Sequence, residues 1–286
     1  MKLRRIKPMQ EPAYVINRRK RRKQRIWRAV KSILVTALFV FTVIYASLSP
    51  FFNIKDIRVA GSTRYSTAEL STASGIVTGR NGFRVLFSSK SKPGLFRIGD
   101  AEQAIIDSCP YVKSAKVRYI IPGTVRIDIT EREPAAIIDI KGIQLLIDKE
   151  GYLLEIDPVF DAETDESGLP VIRTAEPGSA NPGKKLDIPE EMLLSAFKVF
   201  DTIKEMDAVN DDKLLPMVDY VDTSDLSNIR LSLQARIVVN LGKADELHYK
   251  INAAASIFTR NIKKTERGTL DFSVGKDPVF TPESGG

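Results

Sequence analysis

The fold is decided by the stretch YVKSAKVRYIIPGTVRIDITEREP, which runs from Tyr111 to Pro134. Apolar and polar residues alternate on both sides of Pro122-Gly123, and the apolar positions are Ala115, Val117 and Tyr119, then Val125, Ile127 and Ile129. Alternation with a period of two is typical of a β-strand that buries one face, and Pro-Gly is a turn signal. The stretch therefore predicts a β-hairpin with one face in a core.

The residues upstream of this hairpin predict one more strand and two helices. Residues 54–60 alternate between apolar and charged side chains, as a half-buried strand does. Ser66-Thr-Ala-Glu69 has the form of a capping box and predicts the start of a helix, and a second helix is predicted from Asp100 to Pro110. The region from Gly75 to Pro93 is rich in Gly, Ser and Lys and is interpreted as a loop. The order strand, helix, helix, strand, strand predicts a small α+β domain over residues 53–132.

Further upstream lies a segment that is apolar on all sides. From Ser32 to Leu48 it reads SILVTALFVFTVIYASL, without a charge. Extended to Phe52, it reaches about the 20 residues that a bilayer core requires. We expect a single transmembrane helix over residues 32–52.

The charge pattern predicts how this helix is oriented. Residues 1–31 hold thirteen Lys and Arg and one acid, whereas the rest of the chain holds thirty basic and thirty-five acidic side chains. By the positive-inside rule, residues 1–31 form a cytoplasmic tail and the chain after residue 52 lies outside the cytoplasm. A cleaved signal peptide fits less well, because the basic region is long and its cleavage site before Pro50 is poor. A buried helix of a soluble core fits less well too, because no face is polar.

The basic tail has two possible partners. Anionic lipid attracts Lys and Arg beside a membrane helix, and topology alone already explains such a run. Nucleic acid is the lesser alternative, because the excess charge precedes the membrane segment instead of covering a folded face.

Downstream of the hairpin, the sequence predicts a mostly antiparallel β domain with flanking helices over residues 133–275. Strand-like alternation recurs, and helices are predicted at 189–206 and 247–258. A strand from Thr269 to Val274 closes the set, and residues 276–286 are interpreted as a short flexible tail.

The side chains needed for catalysis or for metal binding are scarce. Cys109 is the only cysteine and His248 the only histidine, so a disulfide is impossible and a Cys-His or Ser-His-Asp site has little to draw on. The run from Gly178 to Lys185 nearly fits a phosphate-binding loop, but Lys185 replaces the metal-binding hydroxyl. The acidic stretch from Asp157 to Glu166 lacks the glycine and closing Glu of a calcium loop. We expect no catalytic residue, cofactor or metal, and hence no enzyme.

Several motifs carry a resemblance to a known family. Phe52-Asn-Ile-Lys-Asp-Ile-Arg-Val-Ala-Gly-Ser62, placed directly after the membrane segment, and the stretch from Tyr111 to Pro134 resemble the POTRA domain of the FtsQ/DivIB family. Three more motifs resemble that family's β domain: Ile147-Asp-Lys-Glu-Gly151, Leu169-Pro-Val-Ile172 and Val238-Val-Asn-Leu-Gly242.

The resemblance implies a non-enzymatic assembly protein of the bacterial divisome. Such a protein docks FtsB/DivIC-like and FtsL-like bitopic partners outside the cytoplasm and helps regulate the septal peptidoglycan synthesis machinery. It would lie in the cell membrane at the division septum. The family's C-terminal strand region is its principal docking surface, which here corresponds to Thr269, Leu270, Asp271, Phe272, Ser273, Val274 and Phe280.

A physical mechanism fits this C-terminal region. If the strand from Thr269 to Val274 is an exposed edge, its unpaired N–H and C=O groups can accept a partner strand, with Leu270 and Phe272 or their alternates supplying side-chain contacts. The alternative is an ordinary strand inside a closed sheet.

Two other function classes remain open at this point. One is a membrane-tethered ligand-binding or sensor module outside the cytoplasm, which would need a pocket of convergent polar and aromatic groups. An enzyme such as a wall hydrolase ranks below it, because it would need paired carboxylates or a metal set.

Overall fold

The N-terminal part of the protein is one long helix. The computed structural model describes residues 13–91, 93–158, 168–209, 213–273 and 277–283, with side chains from residue 23 onward. Helix α1 runs from Ala13 to Ser47, and its 35 residues span about 50 Å. Its part from Lys23 to Ser47 has no buried residue and contains an 18-residue window with a mean hydropathy of 2.1; among the described residues it alone is long and apolar enough to cross a membrane. The predicted long apolar helix is therefore confirmed; it fits a single-pass membrane anchor, and it continues into the basic tail.

A small α+β domain follows, as the sequence predicts. Its elements are β1 (Asp56–Ala60), α2 (Thr67–Ser74), α3 (Gly82–Ser88), α4 (Gly99–Ser108), β2 (Val112–Ile120) and β3 (Thr124–Glu131). The strands form a sheet in the order β1-β3-β2, in which β1 is parallel and β2 antiparallel to β3. The hairpin around Pro122-Gly123 is confirmed, and so is the capping box between Ser66 and Glu69.

The core of this domain lies between the sheet and its helices. Val117, Val125 and Ile127 are fully buried and pack with Leu70 of α2 and Ile105 of α4. The buried positions on β2 and β3 fall on alternate residues, so one face of the hairpin is buried and the other exposed.

Helix α3 corrects the interpretation of residues 75–93 as a plain loop. The Asn81 side chain accepts a hydrogen bond from the Arg84 N–H at 3.1 Å and begins the helix. Gly82 looks like a helix breaker in the sequence, but a Cβ there would lie 2.1 Å from the Tyr119 ring. That glycine is present because the ring packs against it, which only the tertiary structure reveals.

The second domain is built on a larger sheet. In the described part of the chain, its strands are β4 (Pro134–Ile140), β5 (Ile143–Asp148), β6 (Leu153–Ile156), β7 (Val171–Arg173), β8 (Val218–Asp222), β9 (Ile229–Leu233), β10 (Ile237–Gly242), β11 (Gly268–Asp271) and β12 (Val279–Pro282). They form one nine-stranded sheet in the order β12-β11-β10-β9-β8-β7-β4-β5-β6. Most neighbouring strands are antiparallel, and three pairs, β10 with β11, β7 with β8 and β4 with β7, are parallel.

Two helices cover one face of this sheet. They are α5 (Glu190–Val209) and α6 (Leu247–Arg260), and they contribute Phe200, Ile203, Ile251 and Ala254 to a core shared with the strands. The opposite face is covered at β4–β6, where Ile137, Leu146 and Leu154 are buried and pack with Tyr111 of the first domain. Toward β12 this face is open and carries a groove of about 720 Å³. One face of the sheet is thus in the core, and the other is in solvent on the β12 side, as is common for antiparallel sheets.

The two domains contact each other around one buried arginine. Arg132, next to the end of β3, places its Nη1 2.6 Å from Oδ2 of Asp148, and both side chains are 7% exposed. Its guanidinium also lies 3.5 Å over the Tyr152 ring. Close by, the Tyr111 hydroxyl donates to Glu155 at 3.0 Å; burial, followed by this hydrogen bond, raises the pKa of Tyr111 to about 12.

Strand β12 corrects the interpretation of residues 276–286 as a flexible tail. Val279 to Pro282 pair with β11 along its whole length, in the register Gly268 with Pro282 to Asp271 with Val279. The segment is only four residues long and ends in a proline, so its own sequence gives a weak strand signal. Pairing with β11 stabilises this strand, although its own sequence only weakly favours one.

Candidate functional site

The predicted docking residues meet at one end of the large sheet. Thr269, Leu270 and Asp271 belong to β11, Phe272 and Ser273 follow it directly, and Phe280 lies opposite Leu270 in β12. Val274 lies outside the described residues. The structure therefore brings the described members of this set into one hairpin.

The edge of the sheet, however, is not the strand that the sequence indicates. Strand β11 is paired on both sides, in parallel with β10 and antiparallel with β12. The hypothesis that residues 269–273 form an exposed edge is wrong, because the chain turns back and β12 covers them. The free edge belongs to β12.

The burial of two predicted residues also differs from the expectation. Leu270 is 1% and Phe272 7% exposed, and both belong to the core beneath the helices. A partner strand cannot use these two side chains as its main contacts. They fix β11 to the core, while Thr269 and Ser273 are exposed.

Hydrogen bonds of the backbone show which peptide groups of β12 point outward. The Gly268 N–H donates to the carbonyl of Arg236, the residue before β10, at 3.1 Å, and the Phe272 N–H donates to the Asn240 carbonyl of β10 at 2.8 Å, so even-numbered residues of β11 face β10. The N–H of Glu283 donates to the Arg267 carbonyl at 2.9 Å, so odd-numbered residues face β12. Because hydrogen-bonded and non-bonded pairs alternate in an antiparallel ladder, Phe280 and Pro282 direct their peptide groups at the free edge.

Prolines restrict what this edge can offer. Pro282 has no N–H, and the residue two positions before Phe280 is Pro278, which has none either. In the described strand β12, the outward N–H is therefore that of Phe280, whereas both Phe280 and Pro282 present carbonyl oxygens. A proline in an edge strand is a common device against unwanted strand pairing.

The side chains around the edge are partly apolar. Val279 is 56% exposed, and Phe280 is half-buried against the core of the second domain. Thr281 and Thr269 lie opposite each other and line the groove on the open face of the sheet. A strand added to this edge would thus have both backbone groups and apolar surface to contact.

Close packing holds β12 in place. A Cβ at Gly268 would lie 2.3 Å from the Thr281 carbonyl oxygen, so only glycine lets the two strands approach this closely. The loop before β11 is held by Arg236, whose Nη1 donates to the carbonyls of Lys263 and Glu266 at 3.1 and 3.2 Å.

The residues that the sequence offers for catalysis, phosphate binding or metal binding lie apart from one another. Cys109 is buried at the end of α4, and burial raises the pKa of its thiol. His248 is exposed, with Nε2 3.6 Å from a Glu205 oxygen. Lys184, from the sequence that resembles a phosphate loop, pairs with Asp107 at 2.7 Å. The part of the chain described by the structure contains no cluster of His, Cys, Asp and Glu fit for a metal ion. Residues 159–167 of the acidic stretch lie outside it.

An N-terminal helix that fits a membrane span, a small three-stranded α+β domain and a larger sheet with an open edge define the class of the protein: a two-domain α+β protein with an N-terminal apolar helix. Comparison with known proteins gives the family. Residues 52–132 match the POTRA domain of FtsQ type, and residues 136–272 match the C-terminal domain of cell division protein FtsQ/DivIB.

Named relatives agree with these matches. The chain is 27% identical to cell division protein FtsQ of Corynebacterium glutamicum over 227 residues, covering 79% of this chain and 88% of the relative. It is 24% identical to cell division protein DivIB of Clostridium botulinum over 256 residues, covering 88% and 91% of the two chains. The chain belongs to the FtsQ/DivIB family of cell-division proteins, a family of non-enzymatic division scaffolds.

Proposed function

We propose that the protein is a non-enzymatic assembly protein of the divisome that binds a strand of a bitopic partner along β12. The observation that carries this proposal is the open backbone edge of β12, which forms one end of the sheet. The partner is an FtsB/DivIC-like protein, and an FtsL-like protein joins the same complex. Through this complex the protein helps regulate septal peptidoglycan synthesis without catalysing a reaction of its own.

The proposed topology follows from the anchor and its flanking charge. Residues 1–31 lie in the cytoplasm, residues 32–52 cross the membrane, and the domains at 53–132 and 133–275 lie outside it. Bitopic partners present their own soluble segments on that side. The family's role in cell division supports a location of the complex at the septum.

Strand addition at β12 has a defined hydrogen-bond pattern. A partner strand can accept from the Phe280 N–H and donate to the carbonyls of Phe280 and Pro282. The exposed Val279 and the half-buried Phe280 then supply the apolar contacts that give such additions their specificity. The docking surface in this proposal thus comprises Phe280 with its neighbours Val279 and Pro282, and the predicted β11 residues support it from behind.

A pair of variants at one position tests this pattern. Phe280→Pro removes the outward N–H and places a ring at the edge, whereas Phe280→Leu keeps the N–H and an apolar side chain. Binding of the full-length protein in nanodiscs to the purified FtsB/DivIC-like protein of the same organism would be measured. Loss of one interfacial hydrogen bond, with its partner left unsatisfied, weakens binding about tenfold.

The comparison between the two variants decides the question. Phe280→Pro is expected to bind the partner about tenfold more weakly than the wild type, whereas the affinity of Phe280→Leu stays within about threefold of the wild-type affinity. Equal binding by both variants would show that the partner does not use the backbone of β12. Circular dichroism of both variants would verify that the sheet is intact.

A second candidate function, a ligand-binding or sensor module, has a groove of about 730 Å³ in its favour. Lys198 of α5, Tyr249 of α6 and Phe272 are among the residues that line it. Its buried cation Lys250 is already bound by the carbonyls of Leu241 and Lys243, at 2.9 and 3.1 Å, and by Asp245. This charge therefore stabilises the turn after β10 and is not available to a ligand. Ligand binding in this groove is for that reason the second candidate, after strand addition at β12.

A further inference from the structure

The first domain is attached to the end of the membrane helix by more than the chain itself. The Asn81 side-chain amide donates to the carbonyls of Ser47 and Ser49, at 3.0 and 3.1 Å. The Ile54 N–H donates to the Arg80 carbonyl at 2.8 Å. The start of α3 is thereby fixed next to the point where the membrane helix ends.

An aromatic cluster extends this attachment into the domain. The Phe83 ring of α3 lies 5.1 Å from the Phe52 ring and 5.5 Å from the Tyr119 ring, in edge-on contacts. The Tyr119 hydroxyl also donates to the Phe52 carbonyl at 2.8 Å. The residues after the membrane helix, α3 and the end of β2 therefore meet at one place.

Large apolar side chains are exposed around this cluster. We call them the proximal patch, and their exposed fractions are Phe51 59%, Phe87 68%, Leu95 85%, Ile120 45% and Ile121 47%. The Phe96 ring, 6.4 Å from the Phe83 ring, also belongs to the cluster. Each exposed residue is next to a member of the cluster: Phe51 and Phe87 contact Phe52 and Phe83, Leu95 precedes Phe96, and Ile120 and Ile121 follow Tyr119. Exposed apolar groups gathered at one end of a small domain are typical of a surface that binds another protein or a membrane.

Exposed cations accompany the patch. Lys55 Nζ lies 5.7 Å from the centre of the Phe51 ring, and Arg80 and Arg84 flank Asn81 at the start of α3. The nearby acid Asp56 is paired with Arg58 at 2.7 Å. Aromatic and aliphatic side chains beside Lys and Arg are the composition of surfaces that lie in the headgroup region of a bilayer.

We propose that the proximal patch binds the surface of the bilayer that α1 crosses, with Lys55, Arg80 and Arg84 on its anionic headgroups. The patch is continuous with the anchor, which favours lipid over a protein partner. Phe51 is four residues beyond Ser47, the last residue of α1, so the chain cannot carry it more than about 14 Å from that point. The bilayer is within reach of the patch before any partner arrives, and contact with it holds the first domain against the membrane.

The test places a probe in the full-length protein. Bimane would be attached at Leu95→Cys, and at Val209→Cys as the matched control, both in a Cys109→Ala background. Val209 is 87% exposed, at the end of α5 in the second domain. The proteins would be reconstituted in nanodiscs of phosphatidylcholine with phosphatidylglycerol, and quenching by headgroup-labelled nitroxide lipid would be measured.

Strong quenching at Leu95 with little at Val209 is expected, in the absence of any partner protein. Equal quenching at the two positions would overturn the proposal, because the patch would then be no nearer to lipid than a remote surface. Circular dichroism would confirm that both labelled proteins are folded.

A second arm tests the role of the cations. Each of the variants Arg80→Gln and Arg84→Gln is expected to shift the first domain away from the bilayer surface. In nanodiscs containing phosphatidylglycerol, the ratio of molecules whose first domain contacts the membrane to molecules whose first domain does not should fall about fivefold. Neither changes it in phosphatidylcholine alone. An identical effect in both lipids would overturn the assignment of these arginines to anionic headgroups.

Discussion

Replacing Arg132 by Met tests whether the buried ion pair between the two domains stabilises the structure. Arg132 and Asp148 are each 7% exposed, and their charged atoms lie 2.6 Å apart. Met fills a similar volume but leaves the carboxylate of Asp148 buried without its cation. Breaking a buried pair from one side costs about 3–5 kcal/mol.

The structure favours the lower end of this range. Asp148 Oδ1 still accepts from the N–H groups of Glu150 and Tyr152, both at 2.9 Å, after the arginine is gone. The loss of the cation–π contact with Tyr152 adds about 1 kcal/mol. We expect Arg132→Met to lower the free energy of unfolding by about 3–4 kcal/mol. For the portion of the chain from Ser49 onward, this corresponds to a decrease in Tm of roughly 6–16 °C.

The assay uses the portion from Ser49 onward, since neither core contains a residue of the membrane helix. Lys113→Ala is the matched control: it removes a pair between the same two domains, Lys113 with Glu150 at 2.6 Å, in which both side chains are about half exposed. Exposed pairs contribute about 0–1 kcal/mol. Adding Asp148→Asn to Arg132→Met removes the stranded charge and should restore at least about 1 kcal/mol.

This prediction would be contradicted by an Arg132→Met protein that loses no more stability than Lys113→Ala. It would also fail if Asp148→Asn lowered the stability of the Met variant further, since the stranded carboxylate would then not be the source of the loss.

The remaining predictions concern the edge hairpin and the pH. Gly268→Ala places a methyl group 2.3 Å from the Thr281 carbonyl oxygen and should displace β12 at a cost of about 1–3 kcal/mol, with faster hydrogen exchange at Thr281. In the control Gly178→Ala the new Cβ has an ordinary 3.5 Å contact, and exchange as slow as in that control would contradict the prediction. Burial raises the pKa of Glu131, but hydrogen bonds from the loop after β1 outweigh it, so that the net pKa is below the usual 4.5. The stability that its carboxylate contributes is complete above about pH 4.5 and is lost as the pH falls through the lower folded value. Urea titrations below about pH 4.5 should show that Glu131→Gln removes this loss of stability at low pH. If the free energy of unfolding of Glu131→Gln fell with pH as steeply as that of the wild type, the prediction would be wrong.

Local sequence patterns sufficed where the structure depends on neighbours in the chain. The hairpin on either side of Pro122-Gly123 and the capping box at Ser66 are confirmed, because alternation and capping act over a few residues. Helix α3 was not predictable, since the fit of Gly82 against the Tyr119 ring depends on residues far apart in the sequence.

The edge strand of the proposed docking region could not be predicted in this way. The sequence indicates the strand from Thr269 to Val274 as the edge, whereas β11 is paired on both sides and β12 is outermost. Which strand is outermost depends on β11 joining β10 in parallel, after the crossover through α6, and on β12 folding back onto β11. Neither pairing has a local signal.

The prolines of β12 have a consequence for crowded membranes. Two copies meeting edge to edge in an antiparallel pair centred on Phe280 could form two hydrogen bonds, one from each Phe280 N–H. The next rungs would set Pro278 against Pro282, where neither chain has a proton to donate. A foreign strand without prolines can add donors at those rungs, so the same edge discriminates between self and non-self. Many anchored copies can then share one small area of membrane and keep their edges available for an unlike strand.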